Sequence, residues 1–176
     1  MTTETRQAVI IDSAEAMEAY GTRLAAELPP GTVVALQGTL GAGKTVLARG
    51  LARGFGITEA VTSPTFTLVQ EYRCPGRLWF YHLDMYRINN AADALAFGIE
   101  EFLFQADGVT AVEWPERIAE LLTPDPGAAP TANGVLLIIC LDVLDETRRR
   151  LRFPASLEPD FDPLGVMTQE PGRKPS

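Results

Sequence analysis

The sequence predicts a single domain of α/β class, and three observations carry that prediction. The stretch 32–51, TVVALQGTLGAGKTVLARGL, passes from an apolar run through a glycine-rich turn into a helical pattern. Short apolar runs with strand character and segments with helical spacing then share the chain as far as residue 153. With 176 residues, 46% of them hydrophobic, the chain is long enough for one sizeable core and short for two.

Residues 8–11 form a short apolar run suited to an edge strand, and Asp12 with Glu15 three positions later reads as a capping box for the helix that follows. Met17, Tyr20, Leu24 and Leu28 recur at helical spacing before Pro29, Pro30 and Gly31 end that helix. The strand Val33, Val34, Ala35, Leu36 comes next, and the helix behind the glycine turn carries Val46, Leu47 and Leu51 until Gly54 and Gly56 close it. Residues 61–72 open as a loop holding Ser63 and Pro64, then alternate Phe66, Leu68 and Gln70 as a strand does. Cys74, Pro75 and Gly76 supply a turn, so this strand and the apolar run 78–83, which ends at Asp84, read as a hairpin. Residues 89–102 have helical spacing with Ala92, Leu95 and Ile99 on one face, weakened by Gly98. Residues 109–112 are a buried strand ending at Glu113, and Pro115 opens a helix through Leu122. Residues 124–134, rich in Pro, Ala and Gly, read as a surface loop. The runs 135–143 and 148–153 form a hairpin around Asp145 and Glu146. The domain is expected over 1–153, with a mobile tail over 154–176 where Pro and Gly are frequent and packed apolar positions are few.

The chemistry centres on Gly38, Gly43, Lys44 and Thr45, which fit G-x-x-x-x-G-K-[ST], the Walker A phosphate loop, in the strand-to-helix context the motif needs. Thr39, Leu40, Gly41, Ala42 and Gly43 bring backbone N–H groups against phosphate oxygens, with Lys44, Thr45 and Val46 opening a helix whose positive dipole end faces the same place. Lys44 would reach the outer phosphates and the Thr45 hydroxyl would take one position on Mg2+, so ATP or GTP is the implied ligand. A nucleotide hydrolase also needs carboxylates where buried strands end beside that loop, and Asp84 and Glu113 hold such positions. Asp84 would bind Mg2+ directly or through water; Glu113 is another metal partner or the group that positions the attacking water. Thr65 and Thr67 lie in a loop that can answer to a terminal phosphate, as switch segments do, the alternative being a Ser-Pro turn followed by strand threonines. His82, the single histidine, reads as a partly packed strand residue rather than a catalytic base. Arg148, Arg149, Arg150 and Arg152 read either as an RNA-binding stripe or as a solvated edge strand.

Charge and composition bound the partners. Fifteen Lys and Arg against 23 Asp and Glu leave a formal charge of -8, which disfavours free-standing binding to a phosphate backbone. Cys74 and Cys140 lie far apart, fit no metal or redox spacing, and are expected as thiols. The start, MTTETRQ, lacks a signal-peptide pattern and the longest apolar run, 135–141, is too short to span a bilayer, so a cytoplasmic protein without membrane contact is expected.

Four segments in this order, GTLGAGKT, SPTFTLVQEY, HLDMYRI and VEWPERI, resemble the TsaE (YjeE) family of bacterial tRNA threonylcarbamoyladenosine biosynthesis ATPases, over about residues 8–153. The phosphate loop alone would point only to a vast superfamily; the other three segments are far more restrictive. The resemblance implies a compact P-loop NTPase-like domain, its central sheet mixing parallel and antiparallel strands between flanking helices. It implies a weak ATPase that uses ATP and Mg2+ and works with TsaB and TsaD, the latter transferring threonylcarbamoyl to the adenosine next to the anticodon, so that tRNA is met only indirectly. By motif, Lys44 and Thr45 match the phosphate and magnesium residues, Asp84 and Glu113 the acidic pair, and Trp114 an aromatic at the nucleotide site. Ser63, Pro64, Thr65 and Thr67 fall in the family's switch-like segment. Val46 replaces a frequent second threonine, and the 124–134 loop and the tail look extended, departures that bear on partner affinity rather than chemistry.

Two other functions share the loop. A small-molecule kinase needs a lid, usually marked by several arginines in a helical segment, and residues 89–102 contain none. An ATP-dependent assembly module with incidental hydrolysis overlaps the ATPase reading. A guanine nucleotide switch lacks its N-K-x-D sequence here.

Overall fold

The computed structural model describes residues 5–122 and 134–154. In chain order these form β1 (Thr5–Ile11), α1 (Ala14–Ala25), β2 (Thr32–Gly38), α2 (Lys44–Gly54), β3 (Val69–Arg73) and β4 (Trp79–Asp84). After them come α3 (Ala91–Ala96), β5 (Gly108–Glu113), α4 (Ala119–Leu122), β6 (Val135–Val143) and β7 (Arg149–Pro154). The strands make one seven-stranded sheet in the order β1-β7-β6-β2-β5-β4-β3. The central strands β6, β2, β5 and β4 run parallel, and β1, β7 and β3 pair antiparallel toward the edges, so the sheet is mixed.

Strand β2 sits between β6 and β5, and its Val33, Val34, Ala35 and Leu36 are all buried, the continuous apolar run expected of a parallel strand covered on both faces. Val34 and Leu36 pack beneath α1 and α2 with Met17, Tyr20, Leu24, Leu47 and Leu51. Val33 and Ala35 face the other layer, built from Leu83, Met85, Ala94, Ile99, Ile118 and Leu122. Parallel pairing brings the carboxyl ends of β2, β5 and β4 to one edge of the sheet, with Leu36 opposite Glu113 and Glu113 opposite Asp84.

α2 ends in a glycine cap: Gly56 takes φ 85°, its N–H bonds Arg53 O at 2.9 Å, and Ile57 N–H bonds Ala52 O at 3.0 Å. The β3–β4 and β6–β7 hairpins are present as expected. Cys74 and Cys140 are free thiols.

Several expectations are corrected. The N-cap of α1 is Ser13, whose Oγ accepts from Ala16 N at 3.0 Å, not Asp12. β3 begins only at Val69: residues 65–67 turn, Phe66 is 81% exposed, and Leu68 at φ 65° cannot continue a strand. The helix expected over 89–102 is broken at Gly98, φ 71°, into α3 and the 3-10 turn Ile99–Phe102. Its buried residues are Ala91, Ala94 and Ile99, while Ala92 and Leu95 face solvent. The helix expected through Leu122 opens as the 3-10 turn Pro115–Ile118 before α4. β7 is not an edge strand, because β1 pairs along its outer side and β6 along its inner side. The 124–134 loop, apart from Gly134, and the segment after residue 154 lie outside the described residues.

Candidate nucleotide site

β2 delivers the chain to the carboxyl edge of the sheet at Gly38, where a Cβ would stand 2.8 Å from Leu141 O of the neighbouring strand. The loop then turns through Gly41 at φ 78° and Gly43 at φ 99°, conformations that side chains with a Cβ resist. Gly43 is the N-cap of α2 and supplies no side-chain hydrogen bond, so the first-turn N–H groups have no capping side chain. Ala42 is fully buried and Val46, in the first turn of α2, is partly buried against the core, so both would meet a phosphate through their backbone. Leu40 stands 81% exposed at the loop.

Lys44 is only 5% exposed. Its Nζ donates to Gly38 O at 2.6 Å and Thr39 O at 2.9 Å and lies 4.0 Å from the centre of the Trp114 ring. Burial lowers its pKa from the ordinary lysine value, against the upward pull of Glu113, Glu116 and Asp84. Among the described residues no carboxylate comes within ion-pair distance of it. A buried cation held by carbonyl dipoles and an aromatic face, beside an uncapped helix N-terminus, fits an anionic group such as a phosphate. Trp114 adopts φ 57°, an unusual conformation for an aromatic residue, and its ring also meets Tyr86 with centroids 5.1 Å apart.

Glu113 and Asp84, each 3% exposed, stand on adjacent parallel strands. Glu113 Oε1 accepts from the Thr45 hydroxyl at 2.8 Å and lies 2.8 Å from His82 Nε2. Asp84 Oδ2 accepts from Ser63 Oγ at 2.7 Å and Thr65 Oγ1 at 2.9 Å, and Oδ1 accepts from the Tyr86 amide at 2.9 Å. Pro64 O accepts from Leu68 N at 2.7 Å and closes the turn that presents the two hydroxyls. Two carboxylates and a hydroxyl make an oxygen set suited to Mg2+, which takes one or two carboxylates and completes its shell with phosphate and water oxygens. Among the described residues there is no cluster of three or more His, Cys, Asp or Glu side chains that would cage a metal alone.

The structure therefore joins Thr45 to Glu113, Lys44 to Trp114, and Ser63 and Thr65 to Asp84. Thr67 is exposed and, among the described residues, shares no hydrogen bond with this cluster. Sequence reasoning underrated His82, which is fully buried and bonded to Glu113; its i, i+2 relation to Asp84 on one strand was the available signal. It grouped Arg149 with the other arginines of its stripe and missed its contact with the phosphate loop. Arg148, Arg150 and Arg152 are paired with carboxylates, whereas Arg149 reaches across from β7 so that Nη2 donates to Gly41 O of the phosphate loop at 3.1 Å.

A family model described as threonylcarbamoyl adenosine biosynthesis protein TsaE matches residues 11–136. The chain is 49% identical over 110 residues to the tRNA threonylcarbamoyladenosine biosynthesis protein TsaE of Synechocystis, covering 60% of this chain and 68% of that one. It is 46% identical over 110 residues to the protein of the same name from Treponema pallidum, covering 62% and 79%. Among solved structures, the crystal structure of Bacillus subtilis YdiB matches with a TM-score of 0.65 and 33% identity, over 84% of this chain and 83% of that chain.

Proposed function

The chain belongs to the TsaE family of tRNA threonylcarbamoyladenosine biosynthesis proteins, and from that premise we propose that it is the pathway's accessory ATPase. It binds ATP with Mg2+, hydrolyses it slowly, and supports a transferase complex of TsaB and TsaD type, meeting tRNA only through those partners. Among the described residues no helix is long and apolar enough to cross a membrane; a cytoplasmic location is part of the proposal. The observation that carries it is Lys44, a buried cation with carbonyl and aromatic partners at the uncapped start of α2.

In this reading the N–H groups of residues 39–46 cradle the phosphates, and Lys44 transfers hydrogen bonds from Gly38 O and Thr39 O to the outer phosphate oxygens. Thr45, Asp84 and Glu113 would hold Mg2+, which when bound offsets the charge that develops on the phosphates. Glu113 or Asp84 sets the position of the attacking water in line with the terminal phosphoryl group. The water oxygen bonds to phosphorus as the bond to the bridging oxygen breaks, leaving ADP, inorganic phosphate and a proton. The ring face of Trp114 adds a second attraction for the Lys44 ammonium beside its two carbonyl partners.

ATP hydrolysis by the purified chain, alone and with TsaB and TsaD, tests the proposal, with Lys44→Ala as control. Slow turnover that rises with the partners and vanishes in a folded Lys44→Ala protein is expected. Normal turnover by that variant would overturn the assignment. ATP-dependent complex formation without faster hydrolysis would point instead to an assembly module.

A further inference from the structure

We propose that His82 is a positioning residue for Glu113: its Nε2–H holds one carboxylate oxygen and thereby turns the other toward the outer-phosphate end of the nucleotide site. The inference rests on the ATP reading given above. His82 is 0% exposed on β4, two residues before Asp84, and its register partner on β5 is Ala111, two residues before Glu113. The imidazole therefore spans from one strand to the next on a face where the residue opposite it carries only a methyl group. Nε2 ends 2.8 Å from Glu113 Oε1, the same oxygen that accepts the Thr45 hydroxyl at 2.8 Å. Oε1 is thus occupied twice, while Oε2 takes no hydrogen bond from any described residue and is not among the atoms sealed from solvent without a partner.

The other ring nitrogen selects the tautomer. His82 Nδ1 is buried without a hydrogen-bond partner. A proton there would be a buried N–H with nothing to receive it, whereas a proton on Nε2 meets a carboxylate oxygen. The Nε2–H form satisfies the geometry and leaves only a lone pair unmatched. A glutamate side chain has three freely turning bonds, and two donors on a single oxygen remove most of that freedom before nucleotide arrives. Hydrogen bonds of this kind, one step removed from the groups that touch a metal or substrate, are typically worth about 10–100-fold in affinity or activity.

The test compares His82→Gln, which keeps an N–H donor at similar reach, with His82→Phe, which keeps a ring and loses the donor. Both are made in a Trp79→Phe background, so that Trp114 is the single tryptophan and its fluorescence reports ATP binding beside Lys44. ATP affinity is measured with and without Mg2+, together with thermal melting and turnover. We expect His82→Phe to bind Mg2+-free ATP as the parent does, yet to lose about 10–100-fold in its response to Mg2+ and in kcat. His82→Gln should stay within roughly threefold of the parent. Because His82 is the single histidine of the chain, its ring nitrogens also give one pair of 15N signals, expected to show a protonated Nε2 and a bare Nδ1. The opposite tautomer overturns the proposal, and so do variants that fall together in step with their melting temperatures, since a residue that merely fills space would act that way. His82→Phe behaving as the parent overturns it while leaving the ATP reading intact. A parent protein that responds to ATP under no condition removes both.

Discussion

Lys44 holds a positive charge where there is almost no water, and the consequence is a pH dependence with two opposite signs. Burial lowers its pKa below 10.5, so between the folded value and 10.5 the unfolded chain binds more protons than the native one. Over that window, rising pH relieves the cost of burying the charge, and the contribution of Lys44 to the stability of the nucleotide-free protein increases. In the proposed ATPase reading the nucleotide needs the charged form, so ATP affinity is expected to fall over the same range and to start falling below the pH at which an exposed lysine titrates. Affinity and urea stability followed together from neutral pH to 10.5 check this; an affinity as steep in a folded Lys44→Ala protein would assign the effect to another group. Asp84 shows a different economy of contacts. Both of its oxygens are taken by Ser63, Thr65 and the Tyr86 amide, so a cation that claims Asp84 has to share it with the turn that carries the exposed Phe66.

Among the elements, the contact between α1 and α2 is made by glycine. A Cβ on Gly50 would stand 2.3 Å from Glu18 O, and one on Gly21 would stand 2.7 Å from Leu47 O, so the two helices cross backbone to backbone. Alanine favours a helix interior over glycine by about 1 kcal/mol, but overpacking against a rigid neighbour costs about 1–3 kcal/mol, and the overlap here is with main chain. Gly50→Ala is therefore expected to lower stability by up to about 2 kcal/mol in urea unfolding, toward the upper end because the atom it meets is main chain. A variant as stable as the parent would mean that the helices can part without loss. The β6–β7 hairpin has an electrostatic clasp instead: Arg152 donates to both oxygens of Asp142 at 2.6 and 2.9 Å, and Arg150 Nε to Oδ2 at 3.0 Å. The Arg152 hydrogen bonds, with help from Arg150, hold the Asp142 carboxyl below its ordinary 3.8. A depressed carboxyl pKa stabilises the fold above 3.8 and loses that contribution as pH falls through the native value. Asp142→Asn should cost up to about 1 kcal/mol at neutral pH and converge with the parent in acid. A gap that persists at low pH would show that packing, not charge, is what the substitution removes.

At the scale of the whole molecule, a ligand bound only by the native state stabilises it by about 2.7 kcal/mol at one hundred times its Kd, which is roughly 5–10 °C in Tm for a chain of this size. ATP with Mg2+ is expected to produce such a shift in the parent and none in Lys44→Ala; equal shifts in both would place the ligand elsewhere. Much of this site is legible in the sequence, because its signals are local. A glycine-rich turn between an apolar run and a helical pattern describes its own geometry, and an acidic residue at the end of a buried strand announces where that strand surfaces. Residues 33–36, Lys44, Thr45, Asp84 and Glu113 were all readable on those grounds. What the tertiary structure alone decided are the relations across distance. The insertion of β7 between β1 and β6, against its reading as an edge, is a choice among pairings whose local patterns are alike. The bond from His82 to Glu113 joins residues 31 positions apart, and the one from Arg149 to Gly41 joins residues 108 apart. Periodicity along one strand reports which side chains share a face, but not which strand lies alongside; that depends on the free energy of packing the whole sheet, which no single segment contains.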